Sequence, residues 1–396
     1  MRRFRTGGVV DQKMKENEVA LVRCSSYDRA LVEEQVARAF ELLGGPGALV
    51  GSGESVFVKV NGLLPAAPEK AVTTHPEVVR AVVKQLMSIT PEVTIGDSPG
   101  GPYNRMMLKR VYEKSGFADV AEGTGARLNF DTSVVTKTVP EAKTMKSFTL
   151  AGAMVNADRL VSIPKFKTHV QVNITGTIKN LFGAVPGMSK FTYHSRFNEG
   201  EDFSDMLVDV LLAASPDFHV IDAVEGMDGD GPRAGNIKKM GIIAAGSGAF
   251  ALETLMMDII GFDPRDNKAL RAAVLRGLTS GNPGDLNVLG DDPRALTVKG
   301  FQLPTKKATA SRVPAFIMDR VAASFSLRPR PDPAVCTGCL KCADICPEGA
   351  IAVVDGSARV DLTKCIKCYC CHELCEHDAI ELERPLLMRL AGLLGG

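Results

Sequence analysis

The chain has 396 residues, 45% of them hydrophobic, and 47 lysines and arginines against 46 aspartates and glutamates for a formal charge of +1. That length and hydropathy suffice for a full core and predict two domains. The neutral balance, with no basic patch interleaved with aromatics, excludes a nucleic-acid binder and gives no argument for a membrane surface.

The opening stretch MRRFRTGGVVDQKMKENE carries paired arginines but no apolar run follows it. No window in the chain reaches about eighteen uninterrupted apolar residues, so a cytoplasmic protein without a transmembrane segment is expected. Residues 18–300 then alternate short β-rich runs with amphipathic helical patterns, which argues an α/β domain with a mostly parallel sheet. Helix 28–43 precedes strand Val56–Val60, helix 75–88 precedes strand Val93–Gly96, and helix 103–116 precedes strand Leu160–Ile163. Helix 203–214, strands Phe218–Ile221 and Gly241–Ala245, and helices 250–260 and 267–277 complete the domain. Thr74 and Glu77 read as a capping box for helix 75–88, ahead of an apolar stripe at Val78, Val79, Val82 and Leu86. Segment 301–333 reads as a helical brace over 312–326 followed by an extended linker, Arg-Pro-Arg-Pro-Asp-Pro, at 328–333. A small α+β module follows at 334–384. The apolar tail 385–396 reads as a packed terminal helix, with contact to a membrane or a partner as the alternative.

Within the large domain four strands run out into polar residues: Asn61, Asp97, Lys165, and Asp222 with Glu225. In an open parallel sheet those ends border one crevice, where such folds bind ligands. Each alone is more often a turn or cap residue than a ligand. The loop Gly96-Asp97-Ser98-Pro99-Gly100-Gly101 joins a strand to a helix. It offers either an anion cradle of backbone amides, with Ser98 and Gly100 contributing, or a plain tight turn. From Lys165 onward, Lys165, Lys167, His169, Gln171 and Asn173 recur at every second position. If the backbone is extended they share one cationic, donor-rich face, suited to a carboxylate or phosphate, with Lys179, Asn180 and His194 completing the wall. A solvated amphipathic strand has the same pattern.

Two runs near the C-terminus, Cys336-x2-Cys339-x2-Cys342-x3-Cys346-Pro and Cys365-x2-Cys368-x2-Cys371-x3-Cys375, have the ligand spacing of a bacterial-type ferredoxin with two [4Fe-4S] clusters. In that arrangement the fourth cysteine crosses over. Cys336, Cys339, Cys342 and Cys375 then serve one cluster, and Cys365, Cys368, Cys371 and Cys346 the other. Structural zinc gives no reason for the run to appear twice, and no secretory segment favours disulfides. CPEGAIAVVD and CEHDAIELER form an internal repeat that supplies small strands over the clusters. Cys24 and Cys370 stand outside the register, and Cys370 offers a neighbouring thiolate that competes with Cys371. Glu376 stands where the first run has Pro347.

The elements PKFKTH, TGTIKNLFG, GDSPGG and IDAVEGMDGDGPRAG, with His194, resemble the domain-of-unknown-function family 362, whose members often carry a C-terminal two-cluster ferredoxin. The resemblance spans roughly residues 20–300 plus the module. It implies a fold and an iron–sulfur protein but no particular reaction. Members commonly show Asp-Pro-Val-Ala-x-Asp where this chain has Gly248-Ala249-Phe250-Ala251-Leu252-Glu253, so a carboxylate is missing at Gly248.

Two functions fit these readings. In the first, an iron–sulfur oxidoreductase exchanges electrons with a low-potential carrier protein and reduces an anionic small molecule. Lys167, His169, Lys179 and His194 do the chemistry; Asn61, Asp97, Ser98, Gly100, Lys165, Asn173, Asn180 and Asp222 bind. In the second, the chain is a non-catalytic electron-transfer adaptor or redox sensor whose large domain docks a partner.

Overall fold

The computed structural model describes residues 14–197, 200–304 and 327–383. The expected brace at 312–326 and the apolar tail lie outside the described residues. In chain order the strands of the large domain are β1 (Glu18–Arg23), β2 (Val56–Val60), β3 (Val93–Gly96), β4 (Arg127–Leu128), β5 (Val134–Thr138), β6 (Ser147–Ala151), β7 (Arg159–Ile163), β8 (Lys165–His169), β9 (Asn173–Thr175), β10 (Phe218–Asp228), β11 (Asn236–Gly246) and β12 (Asn287–Gly290). Ten of them form one sheet in the order β12-β1-β11-β10-β7-β2-β3-β4, with β8 attached to β10 and β9 to β8. The run from β10 through β7, β2 and β3 to β4 is parallel, and β11 is antiparallel to both its neighbours. β5 and β6 make a separate hairpin.

Every residue of β2 is buried, as a central parallel strand covered on both faces requires. Period-2 alternation sends Val56, Val58 and Val60 into a core shared with helices Arg29–Leu42 and Pro76–Met87, and Phe57 into the opposite layer with helix Gly200–Ala214. The expected strands and helices are present, with β10 and β11 extended to 11 residues each. The extension continues β10 past the sheet and gives β8 an edge to pair with.

The capping box does not form. His75 is the N-cap, its Nδ1 accepting from Glu77 N–H, while Thr74 Oγ1 is buried between Asn61 N–H and Ile163 carbonyl. A buried Thr hydroxyl with two backbone partners is worth more here than an exposed cap.

Four short strands build the C-terminal module: β13 (Arg328–Pro331), β14 (Ile351–Val354), β15 (Ser357–Val360) and β16 (Ile380–Glu383). β14 and β16 arise from the two repeats, and pair antiparallel with β15 and β13. The proline-rich run is therefore not a free linker over its first four residues. Alternating prolines leave one strand edge without donors, which a two-stranded ribbon tolerates because only its other edge is paired.

Candidate functional site

The C-terminal ends of β2, β3 and β8, with helices Thr177–Asn180 and Ser189–Arg196 of the same domain, surround a cavity of about 70 Å³ that the ferredoxin-like module closes. Among the residues proposed from sequence it gathers Asn61, Asp97, Ser98, Gly100, Lys167, His169, Lys179, Asn180 and His194. Lys165, Asn173 and Asp222 do not line it. The alternating face breaks because the chain turns after His169 and returns antiparallel as β9, with Asn173 at φ 71°. Asn173 donates to Asp266 carbonyl. Lys165 instead pairs with the buried Asp222 at 3.1 Å and with the half-buried Tyr27 Oη at 2.5 Å.

Three further lining groups were not anticipated: Lys59, Lys190 and Glu373. Lys59 has a sequence signal, a lysine inside an otherwise apolar strand, since a buried cation demands a partner. That partner is Asp97, 2.8 Å away, with both side chains almost fully enclosed. Asp97 also accepts the amides of Gly62 and Ser98, and Asn180 accepts from Lys59 and Asn61. Lys190 reaches the Ser98 carbonyl and hydroxyl at 2.8 and 3.2 Å. These residues hold the floor together, and Gly183 permits it, since a Cβ there would stand 2.4 Å from Asp97 Oδ1.

The groups left with spare capacity face the cavity. Lys167 Nζ bonds Val72 carbonyl and Asn61 but no carboxylate. Lys179 Nζ lies 5.7 Å from the centre of the Phe182 ring, and His194 Nδ1 has no hydrogen-bond partner. Burial lowers the affinity of each for a proton: Lys167 and Lys179 fall below the ordinary lysine range, Lys190 to about 7, His169 to about 4 and His194 to about 3. Four lysines against two carboxylates make a site short of negative charge.

The module closes the cavity through its short helix Cys370–Glu373. Gln171 N–H donates to His169 Nδ1, so the ring proton sits on Nε2, 2.7 Å from Glu373 Oε1. Leu374 fills the space that glycine leaves at position 100, where a Cβ would meet it at 2.4 Å. Lys70 and Arg233 pair with Asp378, and Arg110 with Glu376.

Inside the module, Cys336, Cys339, Cys342 and Cys375 line one small cavity, and Cys346, Cys365, Cys368 and Cys371 another. Among the described residues no three ligand side chains converge on a single metal ion; the thiols surround voids instead. Backbone amides of Ala350, Ala358 and Ala379 point at the sulfurs of Cys346, Cys336 and Cys375. Left-handed residues recur at matched places in the two runs, Gly338 with Lys367, Leu340 with Tyr369 and Gly349 with Asp378. Such backbone is costly for a lysine, leucine or tyrosine, and matched strain in both halves fits loops wrapped around a cluster.

Residues 56–258 match the family described as domain of unknown function DUF362, and residues 328–376 match a 4Fe-4S dicluster domain. A thylakoid-associated protein of Synechocystis sp. is 30% identical over 293 residues, covering 72% of this chain and 87% of that one. The chain belongs to the DUF362 family. Its C-terminal module is 47% identical over 47 residues to a component of an ion-translocating oxidoreductase complex from Methanosarcina acetivorans, 12% of this chain and 18% of the relative. Among solved structures, the lactate racemase apoprotein from Thermoanaerobacterium thermosaccharolyticum aligns at a TM-score of 0.39 and 15% identity, over 65% of this chain and 60% of that chain. Among the described residues of this DUF362 protein no helix is long and apolar enough to cross a membrane.

The glycine at 248 does not touch the lysine cavity of the DUF362 domain; a Cβ there would stand 1.8 Å from Glu16 carbonyl. Glu253 is buried away from the cavity too, where it accepts from Thr177, Ile178 N–H and Asn267. Cys370 borders both the lysine cavity and a cysteine-lined cavity, and packs with Phe191 and Ile345. Cys371 packs instead with Cys336, Cys342, Cys346 and Cys375. Cys371→Ser is accordingly expected to lose iron and sulfide from anaerobically purified protein, and Cys370→Ser to keep them. Equal loss in the two variants would show that the ligand is misassigned.

Proposed function

We propose that this protein is an iron–sulfur oxidoreductase that passes electrons through two [4Fe-4S] clusters to a small anionic acceptor held between its two domains. The observation that carries the reading is the shared wall: the helix that seals the lysine cavity is continuous with the Cys365–Cys371 ligand run. A cluster held by that run supplies electrons one at a time. The cavity's size fits a molecule of few heavy atoms, with Leu63, Phe182 and Phe191 against its apolar part. Its negative group sits against Lys179 and Lys167, neither paired directly with a carboxylate, and favours the protonated form that burial disfavours in both. Reduction of an unsaturated acceptor by two electrons also consumes two protons. Lys179, protonated beside the bound anion, stands where it can deliver one, and the other comes from solvent.

The test is reoxidation of dithionite-reduced protein, followed by the visible absorbance of the clusters, against a panel of small carboxylates and oxyanions. An enzyme reoxidises with one of them alone. Reoxidation only when a partner protein is added would replace this reading with the electron-transfer adaptor.

Charge on Lys190 gives the reading a pH dependence. Burial holds its ammonium at about 7 in the free protein, so the positive charge is present below that pH and lost above it. Anion affinity is therefore expected to fall as pH rises through about 7, with net proton uptake on binding at or above that pH. Isothermal titration in two buffers of different ionisation enthalpy measures the uptake. Affinity that rises with pH would contradict the assignment.

A further inference from the structure

A second cavity, of about 300 Å³, opens at the N-terminal end of β10, bordered by residues that the lysine cavity does not use. His219 lies at its base, fully buried, and neither ring nitrogen has a partner; the Ser247 hydroxyl beside it also has none. Buried polar atoms in native proteins are ordinarily paired, so the missing partners point to the cavity. Burial pushes His219 down to about 3, which leaves a neutral ring with one N–H and one lone pair to offer.

Helix Ala249–Ile259 begins at the same place, with no side-chain cap. Its first amides have no acceptor within the helix. The close approach of Glu16 carbonyl at Gly248 leaves no room for a capping side chain there. The walls are apolar, with Leu211, Phe250, Leu278 and Leu286 among them. Glu16 and Asp285 are the charged lining residues, and neither lysine nor arginine takes part. An anion would meet two carboxylates with one helix terminus as its sole compensation, whereas an uncharged ring with donors and acceptors on its edge meets matching groups throughout.

We propose that this cavity is a second binding site, for an uncharged nitrogen heterocycle of nucleobase size. Its face packs between the leucines and Phe250, an edge acceptor receives the helix amides and Ser247, and an adjacent donor or acceptor completes His219. Such a site is independent of the electron-transfer reading.

The test uses the full chain prepared anaerobically with its iron, carrying 13C-labelled histidine. The chain has six histidines. Loss of one resonance in His219→Phe, or in His219→Gln should the first fail to fold, identifies the reporter. Adenine and hypoxanthine are the probes. At least one is expected to shift the His219 signals saturably at millimolar concentration or below, with Ser247→Ala weakening binding about tenfold at unchanged iron content and melting temperature. Inorganic phosphate is expected to leave the signals in place. The proposal is overturned if neither base shifts them, if Ser247→Ala binds as the parent does, or if phosphate produces the saturable shift instead.

Discussion

Replacing Lys179 by alanine is expected to leave iron content and dithionite reduction unchanged while acceptor-dependent reoxidation falls by roughly 30- to 150-fold. The magnitude follows from losing one hydrogen bond to a charged group, about 2–3 kcal/mol, in a buried site. Lys179 is singled out because no carboxylate pairs with it directly: the Phe182 ring lies 5.7 Å away and Glu373 acts on it only through space, whereas Lys59 is held by Asp97 and Lys165 by Asp222. Lys179 also belongs to the short helix Thr177–Asn180 of the large domain, away from the cysteine loops. A scaffold role would lower soluble yield and melting temperature together with turnover. Unchanged turnover in a well-folded variant would remove Lys179 from the site.

Glu373→Ala is expected to cost about 3–5 kcal/mol, because it leaves buried groups without their carboxylate. Burial alone would raise the Glu373 pKa, yet His169, Lys179 and His194 together hold it well below the usual carboxylate range. The variant should melt earlier and exchange amide hydrogen faster in the short helix Cys370–Glu373 and in β8, which face each other at the His169–Glu373 contact. Glu373→Gln, which keeps a hydrogen-bond acceptor, should recover part of the loss. A melting temperature equal to the parent's would mean that the two domains are held by their peripheral ion pairs and not by this one.

Much of the architecture was legible in the sequence, for reasons tied to particular residues. Val56–Val60 and Val93–Gly96 were readable as strands because short apolar runs bounded by turn residues suit a sheet covered on both faces. The cysteine runs were readable because cluster ligation is largely local, set by spacings of two and three residues. β1, at 18–23, went unrecognised; its pairing with both β11 and β12 comes from distant parts of the chain. The Thr74 cap and the proline linker were misread because tertiary partners, Ile163 carbonyl in one case and β16 in the other, outweighed local preference.

By itself the sequence determined the α/β class, the repeated cysteine module and most of the polar residues that meet at the strand ends, since periodicity and short-range spacing carry that information. Tertiary structure alone decided which of those residues share a cavity. The strip from Lys165 to Asn173 was one face on paper, but a hairpin turn splits it, sending Lys167 and His169 to the cavity and Lys165 to Asp222. The cavity is held by contacts between residues far apart in the chain, Lys59 with Asn180 across 121 positions and Lys167 with Asn61 across 106. Its lid, Glu373, comes from the other domain. Buried charge is what selects this arrangement: each lysine driven below the surface needs a specific partner, and only the folded chain reveals which cations have one and which face the cavity without it.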